Sequence, residues 1–491
     1  MSLRAILSPF RLCVGFLPLL GAGCTDERIV FREPFNPPPD AASGLVGYFT
    51  STDKQTTCGN CHVGHQTDWV TTAHADAFAT LANSPGAQDF CYTCHTVNEA
   101  GNELSAASGW NTVQDTAYHD VQCESCHGPG ADHVEIPDGG NEPLASIAAS
   151  LDATDGCAEC HNGTHHPFVE EWAQSRHATP QASVIGRTPD EAASCIPCHT
   201  AQGALQAWGV NVEYVERDAA LPEHEGITCA VCHDPHGSAG NEGQLRYPID
   251  VPSQEQNLCV KCHHKRSEPE TEAVPSRGPH SPEGPLLLGD GAGWFPPGFT
   301  PGEDIRGTHG SGANPRLCAT CHVVNYPVTD EVTGDFQIQV VGHRFEAIQC
   351  VDGSGAPLPS GTECELTQRD FTNGCTTSGC HGDAASARSA YTTATTRIAG
   401  LVADVQALLA LVPAGQLDAS DGIFTVADGA NFNAQLAALP GSPIHNPFLI
   451  EQLLLASMAA LEDTYGLVAP ISVDMQNIEK YRTIRVDGVG R

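Results

Sequence analysis

Eight times between residues 58 and 322 the chain repeats one five-residue pattern, Cys-x-x-Cys-His. The copies are Cys58-Cys61-His62, Cys91-Cys94-His95, Cys123-Cys126-His127, Cys157-Cys160-His161, Cys195-Cys198-His199, Cys229-Cys232-His233, Cys259-Cys262-His263 and Cys318-Cys321-His322. Two thiols at this spacing can add across the two vinyl groups of one porphyrin. The residue that follows then places an imidazole beneath the iron as proximal ligand. Paired Cys-x-x-Cys motifs also make zinc sites, a lone one can be a redox dithiol, and cysteines of secreted chains usually pair as disulfides. None of these needs a histidine after every second cysteine. Histidine is 23 of 491 residues, so eight in eight by chance is on the order of 10⁻¹¹ against the expectation for an attachment motif. The pattern specifies covalently bound haem c, and such a chain must fold around its cofactors.

A ninth segment, Cys375-Thr376-Thr377-Ser378-Gly379-Cys380-His381, has four residues between its cysteines. Read as an expanded motif of a kind found among multihaem cytochromes, it brings the haems to nine. The alternative is a disulfide from Cys375 or Cys380 to a neighbour. Cys350 and Cys364 lie just upstream with no histidine after them and could pair with each other. The 22 cysteines then divide into eighteen haem thiols, two in a disulfide, Cys13 and Cys24.

Composition agrees with a core supplied by cofactors. Gly (49) and Pro (35) are plentiful, aromatics are 6%, and long apolar runs are scarce before residue 390. At the start, Arg4 and Arg11 precede the apolar stretch Leu12 to Leu20, which ends in Gly21-Ala22-Gly23 before Cys24. That order reads as a secretory signal, too short to span a membrane. Cys24 behind small residues resembles a bacterial lipobox and would then carry a lipid anchor. Gly21 stands where that motif usually has Leu, and plain signal cleavage with Cys24 incidental is the other reading. Glu33-Pro34-Phe35-Asn36-Pro37-Pro38-Pro39 fits a stiff tether. The expected location is across the inner membrane, at the periplasmic side or outer surface of the outer membrane. The formal charge of −36 excludes nucleic acid as a partner. It would steer in a basic redox partner, and it would equally keep a secreted protein soluble.

Each iron needs a second axial ligand. Nine proximal histidines leave fourteen of the 23, while methionine offers only Met458 and Met475 beyond the first residue. Most sites are therefore expected to be bis-histidine, without the potential-raising Met sulfur. An internal repeat sorts the candidates. Trp69 is followed five residues later by His74, and Trp172 by His177. His119 and His224 stand just ahead of Cys123 and Cys229, and His133 and His236 follow those two motifs. The three-motif block from Cys58 to His133 thus recurs from Cys157 to His236, with offsets of 99, 104 and 106 residues between first cysteines. Histidines held in register argue for shared ligation roles, since a solvent-exposed one need not repeat. The expected distal ligands are His74, His133, His166, His177, His236, His280, His309, His343 and His445. His119 and His224 follow close behind, His165 competes with His166, and His65 and His264 read as surface residues. His445 precedes Asn446-Pro447, which read as N-cap and first turn of a helix over 448–461 that would aim His445 at the last haem.

Residues 1–23 are read as signal peptide and 24–50 as Pro-rich tether. Residues 51–245 hold the duplicated three-haem units and 246–381 three further haems. Residues 382–491, free of cysteine, form a helical region of two packed helices over the ninth haem; a separate docking domain is the alternative. Motif spacing opens from 32–38 residues in the duplicated part to 57–59 in the last. There, alternating Phe336, Ile338 and Val340 predict a strand, joined to 328–332 by a turn at Thr333-Gly334-Asp335. The expected fold is a loop-rich multihaem cytochrome with short α-helices, little β-structure, a haem stack as core and a helical C-terminal region.

Cys123-Glu124-Ser125-Cys126-His127-Gly128-Pro129-Gly130 with His133, and the Trp-x4-His unit ahead of a motif, resemble the cytochrome c554-type multihaem cytochromes. Cys232-His233-Asp234-Pro235-His236-Gly237 resembles the doubled Cys-x-x-Cys-His cytochromes. The resemblance covers about residues 55–270. It implies closely stacked bis-histidine haems on a loop-rich scaffold in the periplasm or at the cell surface. The expanded ninth motif and the helical tail depart from the four-haem members, so their partner does not carry over. The first functional reading is a low-potential electron carrier, passing electrons between periplasmic carriers and an outer-membrane or extracellular acceptor, with other redox proteins as donor and acceptor. The second is a multihaem oxidoreductase acting on a small nitrogen or sulfur compound, which needs an open iron position that the histidine surplus disfavours. A homo-oligomer or filament with haems stacked between subunits is a third.

Overall fold

The computed structural model describes residues 37–150, 156–210, 213–238, 240–264, 269, 278–299, 305–377, 379–418 and 421–468. By contact the chain divides into Met1–Pro37 and Pro38–Arg491. The signal segment, Cys13, Cys24 and the tether up to residue 36 lie outside the described residues.

Up to residue 380 the described path is made of loops, single turns, short helices and two small ribbons. The longest described helices there, Val63–Trp69 and Ala201–Ala207, have seven residues each. Glycine and proline at this density stop helices early. The described strands form two small antiparallel ribbons, Tyr48–Thr50 with Gln55–Thr56 and Tyr326–Thr329 with Phe336–Val340. The second is the predicted hairpin, with Val328 opposite Ile338 and Gly334 at φ +74° in its turn.

The repeat seen in the sequence is built into the backbone. Trp69 donates its indole N–H to the carbonyl of Val121 at 3.0 Å, and Trp172 does the same to Ile227 at 2.8 Å. Val121 returns its N–H to the carbonyl of His74 at 3.1 Å, as Ile227 does to His177 at 2.8 Å. In both units the Trp-x4-His segment is latched to the residue two places before the first cysteine of the third motif.

Residues 40–50 differ from the tether expected over 24–50. Leu45 and Val46 are buried, and Leu45 clusters with Val97 and Tyr118. The cause is the buried Glu124 carboxylate, which accepts the N–H groups of Val46 at 2.8 Å and Gly47 at 2.7 Å and draws this segment onto the third motif. Cys350 and Cys364 form a disulfide.

The C-terminal region holds three long helices, Ala384–Leu409, Val426–Ala438 and Pro447–Tyr465, where two were expected, with a single turn at Ser442–His445. Asp383 caps the first, and Asn446 with Pro447 starts the last. The helix missed by the sequence reading buries four alanines (Ala427, Ala430, Ala434 and Ala437) and only two large apolar residues, Phe432 and Leu436, which gives a weak apolar stripe. Ile398, Leu401, Val405 and Leu408 pack with Leu449, Leu453 and Leu454 into the main apolar cluster. Trp294 joins that cluster and is tied by its N–H and C=O to the amide of buried Asn433, at 2.7 and 2.8 Å. Among the described residues no helix is long and apolar enough to cross a membrane.

Candidate haem-binding sites

Imidazoles meet in pairs, one from a Cys-x-x-Cys-His motif and one from elsewhere in the chain. Ring centres are 6.3 Å apart for His62 and His133, 6.0 Å for His127 and His236, and 6.1 Å for His161 and His74. They are 5.9 Å apart for His199 and His280, 6.3 Å for His233 and His343, and 6.1 Å for His263 and His177. His322 and His445 are 6.2 Å apart, and His381 and His309 6.3 Å. His166 lies near His95, which adds to burial in lowering its pKa.

These spacings fit an iron between the rings. An imidazole nitrogen bonds a metal at about 2 Å and its ring centre lies about 1 Å further back, so two rings on one ion have centres about 6 Å apart. Among the described residues no group of three or more His, Cys, Asp or Glu gathers as a bare metal site.

Nδ1 hydrogen bonds set the tautomer. Nδ1–H of His95 donates to the carbonyl of Ala77, of His127 to Pro143, of His233 to Gly243 and of His322 to Phe345, at 2.8, 2.8, 2.5 and 2.7 Å. Among the non-motif rings, His309 donates to Ile444 and His343 to Val341, at 2.8 and 3.0 Å. A carbonyl can only accept, so Nδ1 carries the proton and Nε2 presents its lone pair to a metal. Burial, with a facing imidazole second, brings His161, His177 and His445 down to about 4. They are neutral at ordinary pH, as ligands must be.

Three carboxylates of this region gave no signal in the motif reading. Glu283 Oε2 lies 3.2 Å from His263 Nδ1; burial alone would lower the His263 pKa, but Glu283 raises it. Glu171 accepts the N–H groups of Val341 at 2.9 Å and His343 at 2.7 Å. Glu124 accepts from Gly130 at 2.9 Å besides Val46 and Gly47. Burial pushes Glu124 up to about 7 against these donors. The one sequence hint was position: Glu171 directly precedes Trp172, and Glu124 lies between the cysteines of its motif.

The remaining histidines take other places. His119 stacks on Phe78 with ring centres 3.5 Å apart, and His165 stacks on Phe336 at 4.9 Å. His264 Nδ1 donates to its own turn at Val260, 2.6 Å away, while His224 stands half-buried ahead of the sixth motif. His65, read as a surface residue, lies against His236 at 4.3 Å, and 6.4 Å from His62. His445 faces His322 of the eighth motif; the expectation that it would lie over the ninth was wrong. The Nδ1 bond of His309 to Ile444 explains this, because it places His309 opposite His381 and leaves His445 facing the eighth motif. His133 and His236, equivalent in the repeat, both face motifs of the first unit, His62 of the first motif and His127 of the third.

The eighteen motif cysteines, Cys58, Cys61, Cys91, Cys94, Cys123, Cys126, Cys157, Cys160, Cys195, Cys198, Cys229, Cys232, Cys259, Cys262, Cys318, Cys321, Cys375 and Cys380, are all outside disulfides. Each remains available for a thioether.

Residues 57–128 match the family of cytochrome c554 and c-prime, and residues 222–268 match the doubled CXXCH motif family. The chain is a multihaem c-type cytochrome. Haem c is its cofactor. The cytochrome is 28% identical over 208 residues to the multiheme cytochrome MtrA of Shewanella baltica, covering 39% of this chain and 57% of MtrA. It is 28% identical over 222 residues to the C-type polyheme cytochrome OmcB of Geobacter sulfurreducens, covering 38% of this chain and 27% of OmcB. The matches thus span little more than half of the first relative and about a quarter of the second. The crystal structure of the outer cell wall cytochrome OcwA superposes over 76% of this chain and 75% of its own, with a TM-score of 0.48 and 20% identity.

Proposed function

We propose that the cytochrome carries electrons through nine bis-histidine haems. The axial pairs would be His62 with His133, His95 with His166, His127 with His236, His161 with His74 and His199 with His280. The others would be His233 with His343, His263 with His177, His322 with His445 and His381 with His309. The observation that carries the reading is the set of eight imidazole pairs with centres 5.9–6.3 Å apart, each joining a motif histidine to a distant one. Haem c supplies one-electron exchange at each site when bound. The chain's part would be to hold two imidazoles on each iron, which would leave no coordination position for a substrate. With histidine rather than methionine on both sides, the potentials are low. The ninth site is supported by one of these ring pairs, since His381 faces His309, and Cys375 and Cys380 stay outside the Cys350–Cys364 disulfide.

The working place is the periplasmic side or outer surface of the outer membrane, with a lipid on Cys24 as anchor and other redox proteins as donor and acceptor. Charge steers that exchange, because a net −36 favours a basic partner. A pyridine haemochrome assay on the purified full chain should return nine haems per chain, and electron paramagnetic resonance should find them low-spin. A count of eight removes the ninth site. A high-spin signal that responds to nitrite or hydroxylamine replaces the carrier with an oxidoreductase.

A further inference from the structure

We propose that motifs two and five are side branches of the electron path, joined to it at motifs four and seven, where electrons can leave or join laterally. The path itself then runs through motifs one, three, four, six, seven, eight and nine. This rests on the proposed haem ligation and adds the wiring between the sites.

The wiring follows from which attachment cysteines interact. Cys58 of motif one interacts with Cys123 of motif three, and Cys157 of motif four with Cys229 of motif six. Cys259 of motif seven meets Cys318 of motif eight in the same way. In all three pairs it is the first cysteine of each motif. The second cysteines make a different set: Cys94 of motif two meets Cys160 of motif four, and Cys198 of motif five meets Cys262 of motif seven. Three junctions between units complete the line, as the second cysteine of one motif neighbours the first of the next: Cys126 with Cys157, Cys232 with Cys259 and Cys321 with Cys375.

The contacts therefore repeat with a period of one structural unit. The third unit keeps the first and third positions, as motifs seven and eight, and lacks the middle one. Between its two motifs lie Leu286 and Trp294, packed under the C-terminal helices.

Burial sets motifs two and five apart from motifs three and six independently of the cysteine contacts. The chain leading into motif two is exposed from Ala82 to Phe90 apart from Ala87, and Phe90 itself is 77% exposed. The chain leading into motif five is exposed at Ala182, Ser183, Ile185, Gly186, Thr188, Asp190, Glu191, Ala193 and Ser194. By contrast Tyr118, Asp120 and Gln122 ahead of motif three are buried, as are Gly226, Ile227 and Thr228 ahead of motif six. A site with one neighbour and an open flank exchanges electrons with the outside, whereas a site enclosed between two neighbours relays them.

The test uses the full haem-loaded chain with Phe90→Cys carrying a ruthenium photoreductant, so that a flash injects an electron beside motif two. The arrival site is read at a methionine-ligated reporter with its own absorbance, His74→Met for motif four or His133→Met for motif one. The reporter at motif four should be reduced at least tenfold faster than the reporter at motif one. Equal rates, or a faster response at motif one, overturn the branch. An experimental structure of the loaded chain gives a second reading without substitutions. The iron of motif two should have that of motif four as nearest neighbour, and the iron of motif five that of motif seven; any other nearest neighbour overturns the wiring. A chain without haem at motif two by mass would instead refute the nine-site reading.

Discussion

The backbone N–H of His343 donates to the carboxylate of Glu171 at 2.7 Å, a bond that spans 172 residues of chain and two repeat units. The other Glu171 oxygen takes the N–H of Val341 at 2.9 Å, so one buried side chain fixes the end of the strand that aims His343 at His233.

Glu171→Ala would leave two enclosed donors unpaired, at about 1–3 kcal/mol each. The expected result is a lower unfolding midpoint and a high-spin signal from one haem in electron paramagnetic resonance. Glu171→Gln, which keeps an acceptor oxygen, should restore most of the low-spin signal. An all-low-spin Glu171→Ala protein of unchanged stability would rule out the positioning role.

On the proposed ligation, Glu283 acts on the proximal side of motif seven. A carboxylate accepting from His263 Nδ1 makes the ligand more basic and favours ferric iron. Glu283→Gln should therefore raise the potential of that site. Both side chains are partly exposed, so screening limits the effect to about 1 kcal/mol, or about 40 mV for one electron. Spectropotentiometric titration should show one haem moved upward; a downward or absent shift contradicts the assignment.

Glu124 makes stability depend on pH. Its folded-state pKa, pushed up by burial to about 7, lies above the 4.5 of a free carboxyl. The fold therefore favours the protonated form. That contribution is present in full below the free value and is lost as pH rises through about 7. The loss is about 3 kcal/mol between the two limits. Thermal unfolding of the loaded chain should weaken from pH 5 to pH 8, and Glu124→Gln should flatten the profile. A wild-type midpoint that rises over this range would show that Glu124 is charged throughout.

Gly429 lets the middle tail helix reach Trp294, because a Cβ there would come within 2.1 Å of the indole ring. Gly429→Ala should cost about 1–3 kcal/mol by overpacking. Limited proteolysis should then cut between residues 384 and 465 faster than in wild type. Equal protection in both proteins would mean that the ring has room to move aside.

The legible parts of this molecule were those encoded within a few residues. Attachment chemistry is local, so the motifs stand out in the sequence, as do the hairpin at Gly334 and the helix starts at Asp383 and Asn446. The Trp-x4-His repeat marked His74 and His177 as equivalent, yet the sequence could not say that each faces the first motif of the following unit. That pairing is set by latches such as Trp69 to Val121, whose acceptor is a backbone carbonyl and leaves no residue signature. Glu124, Glu171 and Glu283 were overlooked for a related reason. Two of them bind backbone N–H groups and the third a single ring nitrogen, and no spacing rule singles out such carboxylates. The alanine-lined helix Val426–Ala438 was lost because its stripe is short on large apolar residues.

The crossing of imidazoles between units also bears on how the chain matures. His74 of the first unit faces His161 of the second, while His236 of the second faces His127 of the first. On the proposed ligation, a haem attached at motif three waits about one hundred residues of export for its second imidazole, as the repeat offsets of 99 to 106 residues require. Maturation would then proceed as a zipper in which each unit completes the one before it. No whole number of units can be cut away to leave a shorter working protein, because every cut strands an iron with one ligand.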